Sequence, residues 1–303
     1  RGFSASSSPG YVLDRWQTLF SGGAVTHSGE RPELGDLPES AKYCARLSVS
    51  GQSAVGDFAY LQQRIESVRT FSGKQVAVSF WAKASTGTPK VAVYFEQYFG
   101  PGQFDSPYVP IYAGQITIST TWTRYSLSVA IPSILGKYIG ADSSDQLMLR
   151  FWVSAGANYN SSTGSLGIQN NTFDFWGVQG EEGYSASAFK QKSLAEELRA
   201  CQRYYYYCAL GGYLFHDYNS GNACCSFLTF PSPMRLSPTI TVRDGVGNIN
   251  KITFSSDGAN LADNITPPSA KLITNAGWNF NAGGLGAATS RGIGWFAYIA
   301  DAE

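Results

Sequence analysis

The segment from residue 193 to 208 contains almost the only clear helix pattern in a chain whose other patterns predict β-strands. Ser193 and Glu196 form a capping box, which marks the start of a helix. The apolar residues that follow recur at i, i+4 and i+7 as one narrow stripe: Leu194, Leu198 and Cys201. Four aromatic residues that favour a strand come next: Tyr204, Tyr205, Tyr206 and Tyr207. The segment therefore predicts a short helix that joins two β-rich modules.

Strands are indicated by strict alternation of apolar and other side chains on the N-terminal side of this helix. Val76, Val78 and Phe80 share one face of a predicted strand, and Trp81 belongs to the opposite face. The longest alternating apolar set is Leu147, Leu149, Phe151 and Val153. Such patterns, separated by Gly-, Ser- and Pro-rich loops, favour an antiparallel sandwich. We predict an all-β fold: a jelly-roll β-sandwich, a short linking helix and a small C-terminal β-sandwich domain.

The 303 residues suffice for two domains with separate cores. We place an N-terminal extension at 1–10, the jelly roll at 11–189, the linking helix at 190–203 and the C-terminal domain at 204–303. The last strand, predicted over 293–300, is apolar on both faces. A small sandwich covers one face, so we expect a neighbouring subunit to cover the other. The chain is therefore predicted to form a homo-oligomer.

Charge and cysteine content exclude several classes of partner and give no sign of secretion. Lys plus Arg equals Asp plus Glu at 22 each, which gives no basic surface for nucleic acid. No apolar run approaches 18 residues, so we expect no membrane insertion. Buried free thiols are favoured over disulfides for the five cysteines, which indicates folding in a reducing cytoplasm: Cys44, Cys201, Cys208, Cys224 and Cys225.

Catalytic constellations are not indicated by the sequence. A glycosidase needs two carboxylates across a cleft, and no spacing singles out such a pair. Glu181 and Glu182 follow a predicted strand, where a solvated or salt-bridged role is expected. His27 and His216 fall in predicted Gly-rich loops without a nucleophile elbow. We therefore expect a protein that is not an enzyme and that has no cofactor.

Two roles fit the tryptophans in or beside the predicted strands. They pack within the sandwich, or they form a stacking platform for a sugar ring. They are Trp81, Trp122, Trp152 and Trp176. Trp81 and Trp152 are the better platform candidates because their strand parity opposes that of Phe80 and Phe151. Tyr94 alternates with Val93 and Phe95 in the same way. Trp81, Trp152 and Tyr94 are the predicted glycan-binding residues.

Six short motifs occur in an order that resembles a family of bacteriophage virion proteins of the tail-fibre or structural type. They are YVLDRW (11–16), YLQQRIE (60–66), VSFWAK (78–83), TWTR (121–124), FWGVQGEE (175–182) and LRACQRYY (198–205). The resemblance covers residues 11–207 best. It implies a jelly roll similar to carbohydrate-binding modules, followed by a helix and a small C-terminal β domain.

The resemblance implies a protein on the virion surface, folded in the host cytoplasm, that adheres to host surface polysaccharide from a tail fibre or a surface fibre or knob. The alternative is a decoration or connector protein of the capsid or tail that clamps other virion proteins. It also implies a homotrimer. The residues expected at an oligomer or interdomain interface are Leu194, Leu198, Tyr204, Tyr205, Tyr206, Tyr207, Trp295 and Tyr298.

Jelly-roll carbohydrate modules often hold a structural calcium ion, for which hard oxygen ligands are suited. Asp174 resembles the acidic position that such modules use, and Asp142 and Asp145 form a second oxygen-rich loop. The favoured explanation of each of these carboxylates is a place in a turn or on a surface strand. The sequence therefore assigns no metal site.

Overall fold

The computed structural model divides the chain into two compact units, Arg1–Lys190 and Gln191–Glu303. The structure describes residues 5–13, 15–32, 41–102, 104–141, 144–208, 213–217, 222–224, 228–243, 249, 253–256, 259–261, 269–282, 292–295 and 297–302. The all-β class is confirmed, with a short helix between the two β-rich parts. Among the described residues, no helix has the length and apolar character needed to cross a bilayer.

The first unit is a sandwich of two antiparallel sheets. Its strands are β1 (Gly10–Leu13), β2 (Trp16–Ser21), β3 (Ala24–Glu30), β4 (Cys44–Ser50), β5 (Phe58–Glu66), β6 (Gln75–Ala84), β7 (Lys90–Tyr98), β8 (Val109–Thr117), β9 (Thr123–Ala130), β10 (Gln146–Ala155) and β11 (Thr172–Glu182). One sheet has six strands in the order β1-β2-β5-β10-β7-β8, and the other has five in the order β3-β4-β11-β6-β9. Between β10 and β11 lie a 3-10 helix (Ala157–Tyr159) and the helix α1 (Asn160–Thr163).

The core between the two sheets follows the alternation in the sequence. Phe80 of β6, Phe151 of β10 and Phe175 of β11 are almost fully buried, and the first two rings lie 4.7 Å apart between centroids. Full burial of such a side chain contributes roughly 1.5–3 kcal/mol. Residues of opposite parity therefore point away from the core, onto the outer faces of the two sheets.

The second unit contains the helix and the remaining strands. They are α2 (Leu194–Gln202), β12 (Tyr205–Cys208), β13 (Tyr213–Asp217), β14 (Asn222–Cys224), β15 (Leu228–Thr229), β16 (Thr239–Arg243), β17 (Thr253–Ser256), β18 (Ala259–Leu261), β19 (Ser269–Ile273), β20 (Gly277–Ala282), β21 (Gly292–Trp295) and β22 (Ala297–Asp301). A three-stranded sheet has the order β12-β22-β16. An eight-stranded sheet has the order β15-β20-β14-β13-β21-β17-β18, with β19 paired to β20.

The predicted start of the helix is confirmed. Ser193 is the N-cap of α2: its hydroxyl accepts from the backbone N–H of Glu196, whose carboxylate accepts from the N–H of Ser193 at 2.8 Å. This exchange holds the pKa of Glu196 below its ordinary value, chiefly through the backbone hydrogen bond from Ser193.

The prediction of one continuous strand over 293–300 is wrong. β21 ends at Trp295 in the eight-stranded sheet, whereas β22 begins at Ala297 in the three-stranded sheet. Tyr298 and Ala300 of β22 are buried with Phe230 in the core of the second unit. The chain itself therefore covers this face of β22, and burial of Tyr298 needs no neighbouring subunit.

The Gly-rich stretch around His27, predicted to be a loop, contains the strand β3. His27 lies in β3, is 3% exposed, and its Nδ1 contacts the hydroxyl of Thr18. Burial lowers the pKa of His27 below its ordinary value. The placement of His27 in a loop was wrong because the short strand carries no apolar alternation: the residues around it are Val25, Thr26, Ser28 and Gly29.

Candidate functional site

The outer face of the five-stranded sheet carries three rows of side chains that cross its strands. In the ion row, Arg46 of β4, Asp174 of β11 and Lys83 of β6 are neighbours by cross-strand register. On one side lies a hydroxyl row, in which Ser48 is paired with Thr172. On the other side lies an aromatic row of Trp176 and Trp81, with Arg124 next in line.

The ion row is built around a two-point ion pair. The Nε of Arg46 donates to Oδ1 of Asp174 at 2.7 Å, and Nη2 donates to Oδ2 at 2.8 Å. The hydrogen bond to Asp174 raises the pKa of Arg46 above its ordinary value. Nη1 of Arg46 also lies 3.8 Å from Oε2 of Glu30. The pair places a planar donor group and a carboxylate side by side on this face, and the donors of Arg46 that do not bond to Asp174 remain for other acceptors.

A depression of about 400 Å³ opens over the ion and hydroxyl rows. Its lining is mostly polar: Arg46, Ser48, Lys83, Ala84, Ser85, Thr120, Thr172 and Asp174. The hydroxyl of Thr172 donates to that of Ser48 at 3.0 Å. Ammonium, guanidinium, carboxylate and hydroxyl groups together supply both donors and acceptors. The depression therefore suits a ligand with many hydroxyl groups.

Aromatic rings border the depression. The ring of Trp122 lies 5.3 Å below Nζ of Lys83, a cation–π arrangement. Trp81 is two residues before Lys83 on the same face of β6, and its ring centroid is 5.2 Å from that of Trp176. Phe189 packs against both indoles, with centroids 5.4 Å from Trp81 and 5.0 Å from Trp176. The two indoles remain half-buried rather than enclosed.

A short segment after β11 folds back over this aromatic row. The carboxylate of Glu181 accepts from the N–H of Ser187 at 2.6 Å and from its hydroxyl at 2.7 Å. The side-chain hydrogen bond from Ser187 is the main reason why the pKa of Glu181 lies below its ordinary value. Arg124 donates to the carbonyl of Ser187 at 2.6 Å, and its guanidinium lies 5.0 Å from the ring centroid of Trp81. These contacts hold Phe189 against the tryptophans.

The structure separates the three predicted glycan-binding residues. Trp81 lies on the outer face of the five-stranded sheet, whereas Trp152 and Tyr94 lie on the outer face of the six-stranded sheet. Trp152 is 4% exposed and Tyr94 is 2% exposed. The expectation that these two rings form an open platform is therefore wrong. Their strand parity is as expected, but the segment between β10 and β11 covers them, with Tyr159 5.3 Å from Trp152.

The outer face of the six-stranded sheet has instead a satisfied polar network. Arg150 lies 5.2 Å from the ring centroid of Tyr60 and 5.6 Å from that of Tyr94. It donates to both carboxylate oxygens of Glu96 at 2.9 and 3.2 Å and to Gln62 at 3.1 Å. Burial raises the pKa of Tyr94. This network supports the sheet rather than an open binding surface.

Of the residues considered for calcium, Asp174 and Asp145 are already engaged by other groups of the protein. Both oxygens of Asp174 are engaged by the guanidinium of Arg46, which would repel a cation. Asp145 accepts from the N–H of Val68 at 2.8 Å and from the hydroxyl of Ser67 at 3.1 Å. Asp142 lies outside the described residues. Within the described part of the chain, no group of three potential metal ligands occurs.

The predicted interface residues fall into different environments. Leu194 and Leu198 of α2 are 81% and 54% exposed, and Tyr207 is 53% exposed. Tyr204 and Tyr205 are half-buried. Tyr206 packs within the second unit, 5.9 Å from Tyr298 between ring centroids, and Tyr298 is 2% exposed. Tyr298 thus belongs to the core of the second unit, whereas Tyr206 is half-buried against that core and its interface role stays a prediction. The side chain of Trp295 lies outside the described residues.

The sequence-based prediction missed Arg46, Lys83 and Phe189 as members of the site. Arg46 stands between Ala45 and Leu47, which are both buried, so alternation alone would have placed it on the outer face of β4. No local signal pairs it with Asp174, because 128 residues separate them. Phe189 lies outside any strand, so no periodicity marks its packing on the tryptophans.

No family model and no curated protein sequence matches the chain. Among solved structures, it is similar to the enzymatically active domain of tailspike protein 4 of bacteriophage CBA120, with 17% identity and a TM-score of 0.36 over 56% of this chain and 19% of that one. The chain thus spans about a fifth of that tailspike domain.

Two bacterial sugar-binding domains are similar over most of their own length. The CBM22-2 xylan-binding domain from Paenibacillus barcinonensis has 13% identity and a TM-score of 0.36, over 56% of this chain and 93% of that one. The N-terminal cellulose-binding domain of Cellulomonas fimi β-1,4-glucanase C has 12% identity and a TM-score of 0.34, over 61% and 99%. At such identities and TM-scores, function has to be argued from the residues of this chain.

Proposed function

We propose that the chain is a non-enzymatic bacteriophage virion protein that adheres to host surface glycans. It is carried on the virion surface as part of a tail fibre or of a surface fibre or knob. The glycan-binding surface is the depression on the five-stranded sheet together with the neighbouring Trp122 and Trp81. The phage assignment rests on the six ordered motifs, and the glycan assignment rests on the site.

The observation that carries the glycan assignment is the grouping of polar and aromatic rows on one face. Arg46, Asp174 and Lys83 offer charged donors and an acceptor at the floor of the depression, beside the hydroxyls of Ser48 and Thr172. A sugar presents hydroxyls around its edge and apolar C–H groups on its faces. The polar rows match the hydroxyls, and the exposed parts of the indoles match the C–H groups.

The ion pairs made by Asp174 and Glu96 support a protein that binds glycans without hydrolysing them. Asp174 is held at two points by Arg46, and Glu96 is held at two points by Arg150. In glycoside hydrolysis two carboxyl groups must face the scissile bond from across a cleft, whereas these two carboxylates lie on opposite sheets and are each occupied by a guanidinium group of the protein. Cys44 and Cys208 are free thiols, and folding in the reducing cytoplasm of the host is part of this proposal.

The test is a screen of the purified chain against immobilised bacterial surface polysaccharides, followed by calorimetry with the oligosaccharide that binds. We expect Lys83→Ala and Trp81→Ala each to weaken binding by roughly tenfold, as the loss of one charged hydrogen bond or one ring contact implies. Lys90→Ala, an exposed lysine of the other sheet, is the matched control and should bind like the unmodified protein. Absence of any glycan ligand, or equal binding by all variants, would refute the proposal.

The second candidate is a decoration or connector protein that clamps neighbouring virion subunits, and the exposed stripe of α2 favours it. Leu194 and Leu198 point away from the second unit although both are strongly apolar. In either role we propose a homo-oligomer, with a trimer implied by the family resemblance. A reconstruction of the intact particle distinguishes the two roles. If the chain is an adhesin, the depression faces solvent; if it is a connector, the depression faces another virion protein.

A further inference from the structure

Both indoles of the aromatic row are already engaged by other groups of the protein. The guanidinium of Arg124 lies 5.0 Å from the ring centroid of Trp81. Trp176 meets the same ring at 5.2 Å and 62°, and Phe189 meets it at 5.4 Å and 85°. Phe189 also lies 5.0 Å from Trp176. A sugar ring that stacks fully on either indole therefore has to replace one of these neighbours.

Phe189 is the neighbour whose departure breaks no strand pairing. Trp176 belongs to β11, and Arg124 belongs to β9, where it pairs with Trp81 in the ladder between β6 and β9. Phe189 lies in the segment 183–190, which follows β11 and contains neither helix nor strand. We call this segment the strap. Its ring can leave the indoles while the five-stranded sheet stays intact.

Side chains of the sheet anchor the strap near its far end. The carboxylate of Glu181 accepts from the N–H and the hydroxyl of Ser187 at 2.6 and 2.7 Å. Arg124 donates to the carbonyl of Ser187 at 2.6 Å, and Oε1 of Gln179 accepts from the N–H of Lys190 at 2.8 Å. Each of these anchors is a single side chain, so each is released by a change of rotamer.

The strap has few apolar contacts apart from Phe189. Tyr184 is 82% exposed, and Ser185 and Ala188 are also exposed. The strap starts at Gly183, whose φ of +138° is a conformation that favours glycine and serves as a pivot. Segments with few buried apolar contacts and exposed backbone open at a lower free energy than the domain unfolds.

We propose that the strap is a displaceable lid on the aromatic row, closed by Phe189 and opened when a sugar ring of the glycan takes the place of the phenyl ring. This inference rests on the proposed glycan-binding function and adds a control of access to the same site. The apolar C–H face of a sugar replaces the apolar phenyl ring on the indoles. The closed strap lowers the apparent affinity, because only the open fraction of the protein can stack the ligand.

The first experiment is calorimetry with the oligosaccharide found in the polysaccharide screen. We expect Phe189→Ala to bind it roughly three- to tenfold more tightly, since the indoles no longer have to be vacated. Tyr184→Ala is the matched control, because it removes an exposed aromatic ring from the same strap and should leave the affinity unchanged. Unchanged or weaker binding by Phe189→Ala, or an equal gain in Tyr184→Ala, would overturn the proposal.

The second experiment needs no glycan and follows amide hydrogen exchange by NMR. We expect the amides of Ser187 and Lys190 to exchange at least about tenfold faster than those of β6. Glu181→Gln should accelerate both, because a neutral acceptor holds Ser187 less strongly than a carboxylate. Glu182→Gln is the matched control, since Glu182 pairs with Lys74 outside the strap.

The failures of the two proposals are distinguishable. Absence of glycan binding by the unmodified chain, Phe189→Ala and Tyr184→Ala refutes the proposed function. Glycan binding by a chain whose strap amides are as protected as those of β6 refutes the lid alone.

Discussion

Arg46 and Asp174 form a two-point ion pair between β4 and β11, although 128 residues separate them in the sequence. Asp174 is almost fully buried, while the side chain of Arg46 is 36% exposed. The pair therefore joins the central strand β11 of the five-stranded sheet to its neighbour β4 at the floor of the depression. Its contribution is reduced by solvent screening on the arginine side.

We expect Asp174→Ala to lower the free energy of unfolding of the sandwich by about 1–2 kcal/mol, since it leaves the guanidinium of Arg46 without its partner. The matched control is Glu182→Ala. Glu182 pairs with Lys74 at 2.9 Å, but both side chains are more than half exposed. That control should change stability by no more than about 0.5 kcal/mol. Urea denaturation measures both, and equal effects would contradict the assigned role.

His27 makes the stability of the sandwich dependent on pH. Burial lowers its pKa below the ordinary value of about 6.5, so the unfolded chain binds the proton at a higher pH than the folded chain. The stabilisation by neutral His27 is complete above about pH 6.5 and is lost as the pH falls through the folded-state pKa. We expect His27→Gln to flatten the pH dependence of the unfolding midpoint in this range. Parallel curves for the two proteins would exclude the effect.

Gly177 allows β11 to pass beneath the aromatic row. It has φ = +60°, and a Cβ there would lie 2.9 Å from Cε3 of Trp81. Gly87 has nearly the same backbone, φ = +63°, with nothing within 4 Å of a Cβ. We expect Gly87→Ala to cost about 1 kcal/mol from backbone strain alone.

For Gly177→Ala, we expect the same strain and a further 1–3 kcal/mol or so from overpacking against Trp81. Thermal unfolding gives the difference between the two variants, and tryptophan fluorescence should change only in Gly177→Ala. Equal destabilisation by both would show that the ring of Trp81 moves aside without cost.

The exposed stripe of α2 is expected to mediate self-association. Leu194→Ser combined with Leu198→Ser should lower the sedimentation coefficient at micromolar concentration, because two apolar contacts per subunit are lost. Val55→Ser, which changes an exposed apolar residue of the first unit, should leave the assembly state unchanged. A monomeric unmodified chain, or an assembly that the double change leaves intact, would contradict the prediction.

Local patterns in the sequence were enough to predict strands with clear alternation, such as β6, and the start of α2, but not β3 around His27. Alternation over 75–83 predicts the face of β6 that is buried, and Val76, Val78 and Phe80 are each 0% exposed. The capping box predicts the start of α2, with Ser193 as the observed N-cap. Both signals act within a few residues, so they do not depend on the rest of the fold.

Only the tertiary structure decided which outward-facing residues form a site. Position within the alternating pattern places both Trp81 and Trp152 on outer faces. The strand order, however, assigns them to different sheets. Tyr159 covers Trp152, whereas Trp81 stays half-exposed. Alternation specifies a side chain's direction relative to its own strand. It does not specify the neighbouring strand or the loop packed above, because those contacts form between residues far apart in the chain, as Arg46 and Asp174 do.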